Sequence, residues 1–127
     1  MAIREIRIDG DPILKKVCRP VSKLSDRQQE LIDDMLETMY EANGVGLAAP
    51  QVGVLRRIVV IDVGEGPLVM VNPEITEKDG EQTGEEGCLS VPGKAAIVTR
   101  PEHVIARALD RHMKEFTVEG TGLLARA

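Results

Sequence analysis

The segment Glu85-Glu86-Gly87-Cys88-Leu89-Ser90-Val91-Pro92 gathers carboxylates, a thiol and a hydroxyl within a few turn-like residues. As a thiolate, Cys88 can act as a nucleophile or a metal ligand; as a protonated thiol it packs as a small hydrophobe. A nucleophilic cysteine needs an imidazole base, and the sequence offers only His103 and His112. His103 stands at a strand entry just after Pro101 and His112 at an expected hairpin tip, so both read as solvated polar residues rather than bases. Nor does His112-Met113-Lys114-Glu115 resemble a metal-binding helix, which carries its imidazoles three or four residues apart on one face. Cys18 has no chemical neighbours of this kind and keeps the reading of a small buried side chain.

A second unusual segment is Gly44-Val45-Gly46-Leu47-Ala48-Ala49-Pro50-Gln51-Val52-Gly53. The glycines permit backbone conformations closed to other residues, the alanines let another chain approach, and the Gln51 carboxamide offers both a donor and an acceptor. Such a loop can bind an extended peptide backbone, or it can be a tight connection with Gly44 as a helix cap. A phosphate-cradling role does not fit, because no helix follows the Gly-x-Gly and no Lys-Ser/Thr pair accompanies it.

Elements must hold these segments in place. Ser25 and Gln28 have capping-box spacing, and Leu31, Ile32, Met35, Leu36, Met39 and Tyr40 then recur with helical period, which predicts a helix over residues 25–42 that stops at Asn43-Gly44. Residues 1–21, punctuated by Asp11-Pro12 and Arg19-Pro20, read as an extended arm wrapping the domain. Residues 57–63 and 68–72 predict a strand hairpin across Gly64-Glu65-Gly66-Pro67, and residues 104–109 and 116–118 a second one. Residues 119–127 read as the entry to a helix with Thr121 or Gly122 near its cap, ending without a C-terminal signal; so short a helix should fray unless packing holds it.

The bulk properties narrow the partners. At 127 residues and 43% hydrophobic content the chain suits a single domain, residues 1–127, with a core of its own. A net charge of −5 and a pI near 5.1 argue against direct nucleic-acid binding. No secretory signal or membrane-spanning stretch is expected, which points to the cytoplasm and to reduced Cys18 and Cys88.

Taken together and in this order, Gly44-Val45-Gly46-Leu47-Ala48-Ala49-Pro50-Gln51 and Glu86-Gly87-Cys88-Leu89-Ser90 resemble the first two signature motifs of the peptide deformylases. The similarity runs through Asp11-Pro12-Ile13-Leu14, Ile61-Asp62-Val63, Asn72-Pro73, Ala108-Leu109-Asp110 and Gly122-Leu123-Leu124-Ala125, and so covers essentially the whole chain. It implies a metal-dependent hydrolase that removes the formyl group from the N-terminal formyl-methionine of nascent proteins. By this resemblance Cys88 is a metal ligand, Gln51 and the Leu89 N–H stabilise the oxyanion, and Val45, Gly46 and Gly87 align the substrate backbone. Glu86 and Arg100 are expected to pair and steady the cysteine turn. The metal implied is Fe²⁺, for which Ni²⁺, Co²⁺ or Zn²⁺ can substitute.

The resemblance also implies an α+β fold, with antiparallel strands packed around a central helix and the helix of residues 25–42 outside. That central helix carries His-Glu-x-x-His and supplies two further ligands and the general acid/base; residues 1–127 hold no such motif and only the start of the helix. The chain is thus expected to be a deformylase truncated before that motif, and inactive alone. The alternative is a non-catalytic module that binds formyl-peptides or accepts a helix from another chain.

Overall fold

The helix expected from Ser25 forms as α1, Asp26–Glu41, in the computed structural model, which describes residues 2–127. Its capping box is closed: Ser25 Oγ accepts from the Gln28 N–H at 3.4 Å, and Gln28 Oε1 from the Ser25 N–H at 3.0 Å. At the other end the Gly44 N–H donates to Met39 O at 3.0 Å and the Asn43 N–H to Tyr40 O at 3.1 Å, a Schellman closure. Asn43, at φ 58°, takes the left-handed position. The inner face of α1 places Leu31, Ile32, Met35 and Met39 in the main core. Burying each such side chain contributes about 1.5–3 kcal/mol.

That core is shared with an antiparallel sheet. In chain order the strands are β1 (Gly46–Ala48), β2 (Ile58–Ile61), β3 (Leu68–Asp79), β4 (Gln82–Cys88), β5 (Val91–Arg100), β6 (His103–Leu109) and β7 (Glu115–Thr121). Five of them pair in the order β1-β2-β3-β6-β7, and β4-β5 stand apart as a two-stranded ribbon. Both expected hairpins are present, β2-β3 and β6-β7. Leu47, Ala49, Ile58, Val60 and Val71 meet α1 from the sheet side. β3 runs well past its expected end, with register irregularities around Asn72-Pro73 and beyond Ile75. There Asn72, at φ 52°, grips the arm: its Oδ1 accepts from the Val21 N–H and its Nδ2 donates to Val21 O, both at 2.8 Å.

The arm is not wholly extended, since Pro12–Lys15 form one 3₁₀ turn capped by Asp11, whose Oδ1 accepts from the Ile13 N–H at 3.0 Å. Residues 85–92 are not turn-like throughout, as the sequence suggested. They span the end of β4 and the start of β5, and only Leu89 and Ser90 form the turn. The ribbon escapes a sequence reading because neither strand has a buried face: none of its residues falls in the core, so no apolar alternation marks it.

The final helix, α2 (Gly122–Arg126), starts at Thr121 as expected. Alone, five residues would fray. Here Leu124 packs so closely on Gly120 that a Cβ there would lie 2.7 Å from Leu124 Cγ. The fold is therefore α+β with antiparallel sheets and one long helix outside them, as expected. An apolar groove of about 400 Å³, lined by Val59, Ile61, Met70, Val104, Val118 and Leu124, runs beside the sheet and α2. No helix among the described residues is long and apolar enough to cross a membrane.

Candidate active site

The two unusual segments meet. A Cβ on Gly44 would lie 2.6 Å from Leu89 Cδ1, so the Leu89 side chain rests on the backbone where α1 gives way to β1. The requirement at Gly44 is space rather than conformation, because neither Gly44 nor Gly46 has a positive φ. After β1 the chain makes a 3₁₀ turn, Ala49–Val52, with Pro50 inside it and Gly53 in the left-handed region closing it. This turn presents Gln51.

The orientation of Gln51 follows from its neighbours. The Ala48 N–H can only donate, and it lies 2.9 Å from Oε1. Nε2 therefore faces the ribbon, donating to Ser90 Oγ at 3.0 Å and lying 3.9 Å from Cys88 Sγ. Cys88 is exposed at the end of β4, while Ser90 is buried. The arm ties both segments: the Arg7 N–H donates to Gln51 O at 2.6 Å and the Asp9 N–H to Ser90 O at 2.7 Å. Of the residues singled out from sequence, Gln51, Cys88 and Leu89 thus converge. Val45 is exposed, Gly46 begins β1 at the edge of the sheet, and Gly87 precedes Cys88 in β4.

The ribbon is anchored by charge. Glu86 Oε1 meets Arg100 Nη2 at 3.1 Å, the pair expected from sequence. A partner that the sequence did not disclose is Arg126 of α2, whose Nη2 lies 2.8 Å from Glu86 Oε2 and donates to Gly84 O at 3.0 Å. The Arg100 guanidinium foremost, reinforced by Arg126, holds the Glu86 carboxyl below its ordinary value. Cys18 is only partly buried and belongs to neither core cluster, short of the buried position expected; what burial it has pushes its thiol up. His103 is taken up by carboxylates on both ring nitrogens, Glu119 at 2.5 Å from Nε2 and Asp79 at 3.2 Å from Nδ1. His112 sits in the β6-β7 turn, where its N–H caps Asp110.

A protein metal centre of the kind implied by the motifs needs several N, O or S ligands in fixed geometry. Among the described residues no three His, Cys, Asp or Glu side chains come together to hold an ion. Cys88 offers one thiolate, so the described residues do not by themselves fit a metal.

An antiparallel sheet whose edge loop meets a cysteine-bearing hairpin tip is shared, almost in full, with enzymes of known structure. A peptide deformylase from Legionella pneumophila superposes with a TM-score of 0.94 at 50% identity over 98% of this chain and 75% of that one. A peptide deformylase from Synechococcus elongatus, solved in complex with actinonin, superposes at 0.93 with 40% identity over 97% of this chain and 68% of its own. In sequence, the peptide deformylase of Agathobacter rectalis is 69% identical over 126 residues, 99% of this chain and 80% of the relative. The family model for polypeptide deformylase matches residues 3–127. The chain belongs to the polypeptide deformylase family, metal-dependent hydrolases that remove the formyl group from the N terminus of nascent proteins.

Proposed function

We propose that residues 1–127 form one deformylase domain that aligns an N-formyl-methionyl nascent peptide, in the cytoplasm, and stabilises charge on its formyl oxygen. The observation that carries this reading is the Gln51 amide nitrogen facing the hairpin tip, 3.9 Å from Cys88 Sγ and beside Leu89. As the formyl carbon is attacked, negative charge gathers on its oxygen. The N–H of Gln51 Nε2 that faces Cys88 rather than Ser90 and the backbone N–H of Leu89 are the donors that meet it, and one such donor is worth about 3 kcal/mol of barrier. β1 is an edge strand, so Val45 and Gly46 can pair with an extended peptide, with Gly87 on the ribbon flanking it. Cys88 is assigned as one thiolate ligand of Fe²⁺, for which Ni²⁺, Co²⁺ or Zn²⁺ can stand in. A single thiolate does not fix a divalent ion, so no step of the reaction is carried through a metal by residues 1–127 alone.

The test is formate release from formyl-Met-Ala by anaerobically prepared protein given Fe²⁺ or Ni²⁺. The 127-residue chain is expected to release no more formate than its Cys88→Ala variant. The same chain extended by the His-Glu-x-x-His segment of the Agathobacter rectalis relative is expected to turn over, and Gln51→Ala should then lower kcat by about 100-fold to 1,000-fold. Rapid turnover by the 127-residue chain itself would mean that other residues complete the site.

A further inference from the structure

The Gln51 carboxamide has more hydrogen-bonding capacity than the formyl oxygen needs, and what restrains the remainder decides whether its donor is aimed. Oε1 is committed to the Ala48 N–H at 2.9 Å. Nε2 carries two N–H groups, and one is committed to Ser90 Oγ at 3.0 Å. With both ends of the planar amide held, rotation about its last side-chain torsion is blocked. The second N–H is then left on the side of Cys88, whose Sγ stands 3.9 Å away. Without the Ser90 hydroxyl, the hydrogen bonds among the described residues leave the nitrogen end restrained only by that sulfur contact, and terminal torsions of this kind are otherwise broad.

Ser90 is well placed for this task because it does not move independently. It is 4% exposed, in the turn of the hairpin, and its carbonyl accepts from the Asp9 N–H at 2.7 Å. Two residues earlier in the arm, the Arg7 N–H binds Gln51 O at 2.6 Å. One short stretch of backbone thus fixes the Gln51 turn and the Ser90 turn relative to each other. The Arg7 guanidinium adds to this by lying over Gly53, where a Cβ would come within 2.9 Å of it.

We propose that Ser90 is a positioning residue for the reaction: its hydroxyl oxygen holds one N–H of Gln51 so that the other stays aimed at the formyl oxygen, with Arg7 and Asp9 as the backbone clamp. This rests on the oxyanion role assigned to Gln51. A donor held before the reaction costs no reorganisation during it. Partners that orient a reacting group in this way commonly change activity by about 10-fold to 100-fold when removed.

The experiment has two arms. In the first, ¹⁵N NMR of the 127-residue chain follows exchange of the Gln51 side-chain amide protons with water. One of the two is expected to exchange slowly in the parent chain and in Ser90→Thr, which keeps the hydroxyl, and rapidly in Ser90→Ala. Rapid exchange already in the parent chain overturns the proposal, whether or not Ser90→Ala folds. In the second arm, kcat and KM are measured for Ser90→Ala, Gln51→Ala and the double variant in metal-loaded enzyme containing the His-Glu-x-x-His segment. The expected result is a kcat for Ser90→Ala lowered by about 10-fold to 100-fold with KM nearly unchanged, and a double variant no worse than Gln51→Ala. If Gln51→Ala is slow while Ser90→Ala keeps the parent kcat, the positioning role fails and the oxyanion role stands. If Gln51→Ala itself keeps the parent kcat, the oxyanion role fails and the proposal falls with it.

Discussion

The loop that carries Gln51 and the hairpin tip that carries Cys88 reach the same place by different physical means. Around Gln51, the side chains of Leu47, Ala49 and Val52 lie in the core beneath α1 and beside β2. Around Cys88, β4 and β5 bury none of their residues, and the tip is located by directional contacts instead. Those contacts are Ser90 with Gln51, the Asp9 N–H with Ser90 O, and Glu86 with Arg100 and Arg126. An apolar tie is added by Leu89 resting on Gly44, at the border of the core. Burial is strong and non-directional, so it fixes a loop but not the aim of a side chain. Hydrogen bonds and ion pairs contribute less each, but they set direction, and a ribbon held by them can loosen while the rest stays folded.

The strongest way to break this contrast is in the core. Met35 is fully buried, and Met35→Ala is expected to destabilise the whole molecule by about 2–5 kcal/mol in urea unfolding, with α1 and the ribbon lost in one transition. A smaller and more local effect is expected of Arg126→Ala, which removes the Glu86 partner and the donor to Gly84 O. The loss should be about 1–3 kcal/mol. Hydrogen exchange should rise in β4 and β5 with protection in α1 unchanged; equal loss of protection in α1 would show that the ribbon is not separately anchored.

The smallest expected effect lies at the far end of the large sheet, where His103 bridges Glu119 and Asp79. The Glu119 hydrogen bond first, with the charge of Asp79, raises the His103 pKa above its ordinary 6.5. A raised folded-state value stabilises the protein fully below 6.5 and loses that contribution as pH climbs through the folded value above it. The stability gap between the parent chain and His103→Asn should therefore be constant below 6.5 and shrink as pH is raised above it. A gap that stays constant above 6.5 as well would mean that the pair contributes nothing, as many exposed ion pairs do.

By itself the sequence determined α1, its capping box and both hairpins of the large sheet, and the family resemblance suggested the pairing of Glu86 with Arg100. Local period and capping chemistry act over a few residues, and two motifs in order were enough to indicate the family. The β4-β5 ribbon was not legible, because an exposed strand pair leaves no apolar alternation and is defined only by the backbone bonds it makes. Nor was the part of Arg126, which depends on α2 being held against Gly120 of the adjoining β7 and so reaching Glu86 and Gly84 of the separate ribbon. The tertiary structure alone decided that Gly44 is needed for space, that Ser90 meets Gln51, and that the arm binds both through Arg7 and Asp9. These contacts join residues about 40 to 80 positions apart, such as Gln51 with Ser90 and Asp9 with Ser90. No local pattern encodes them, since they follow from where the buried face of α1 and the edge of the sheet bring the loops to rest.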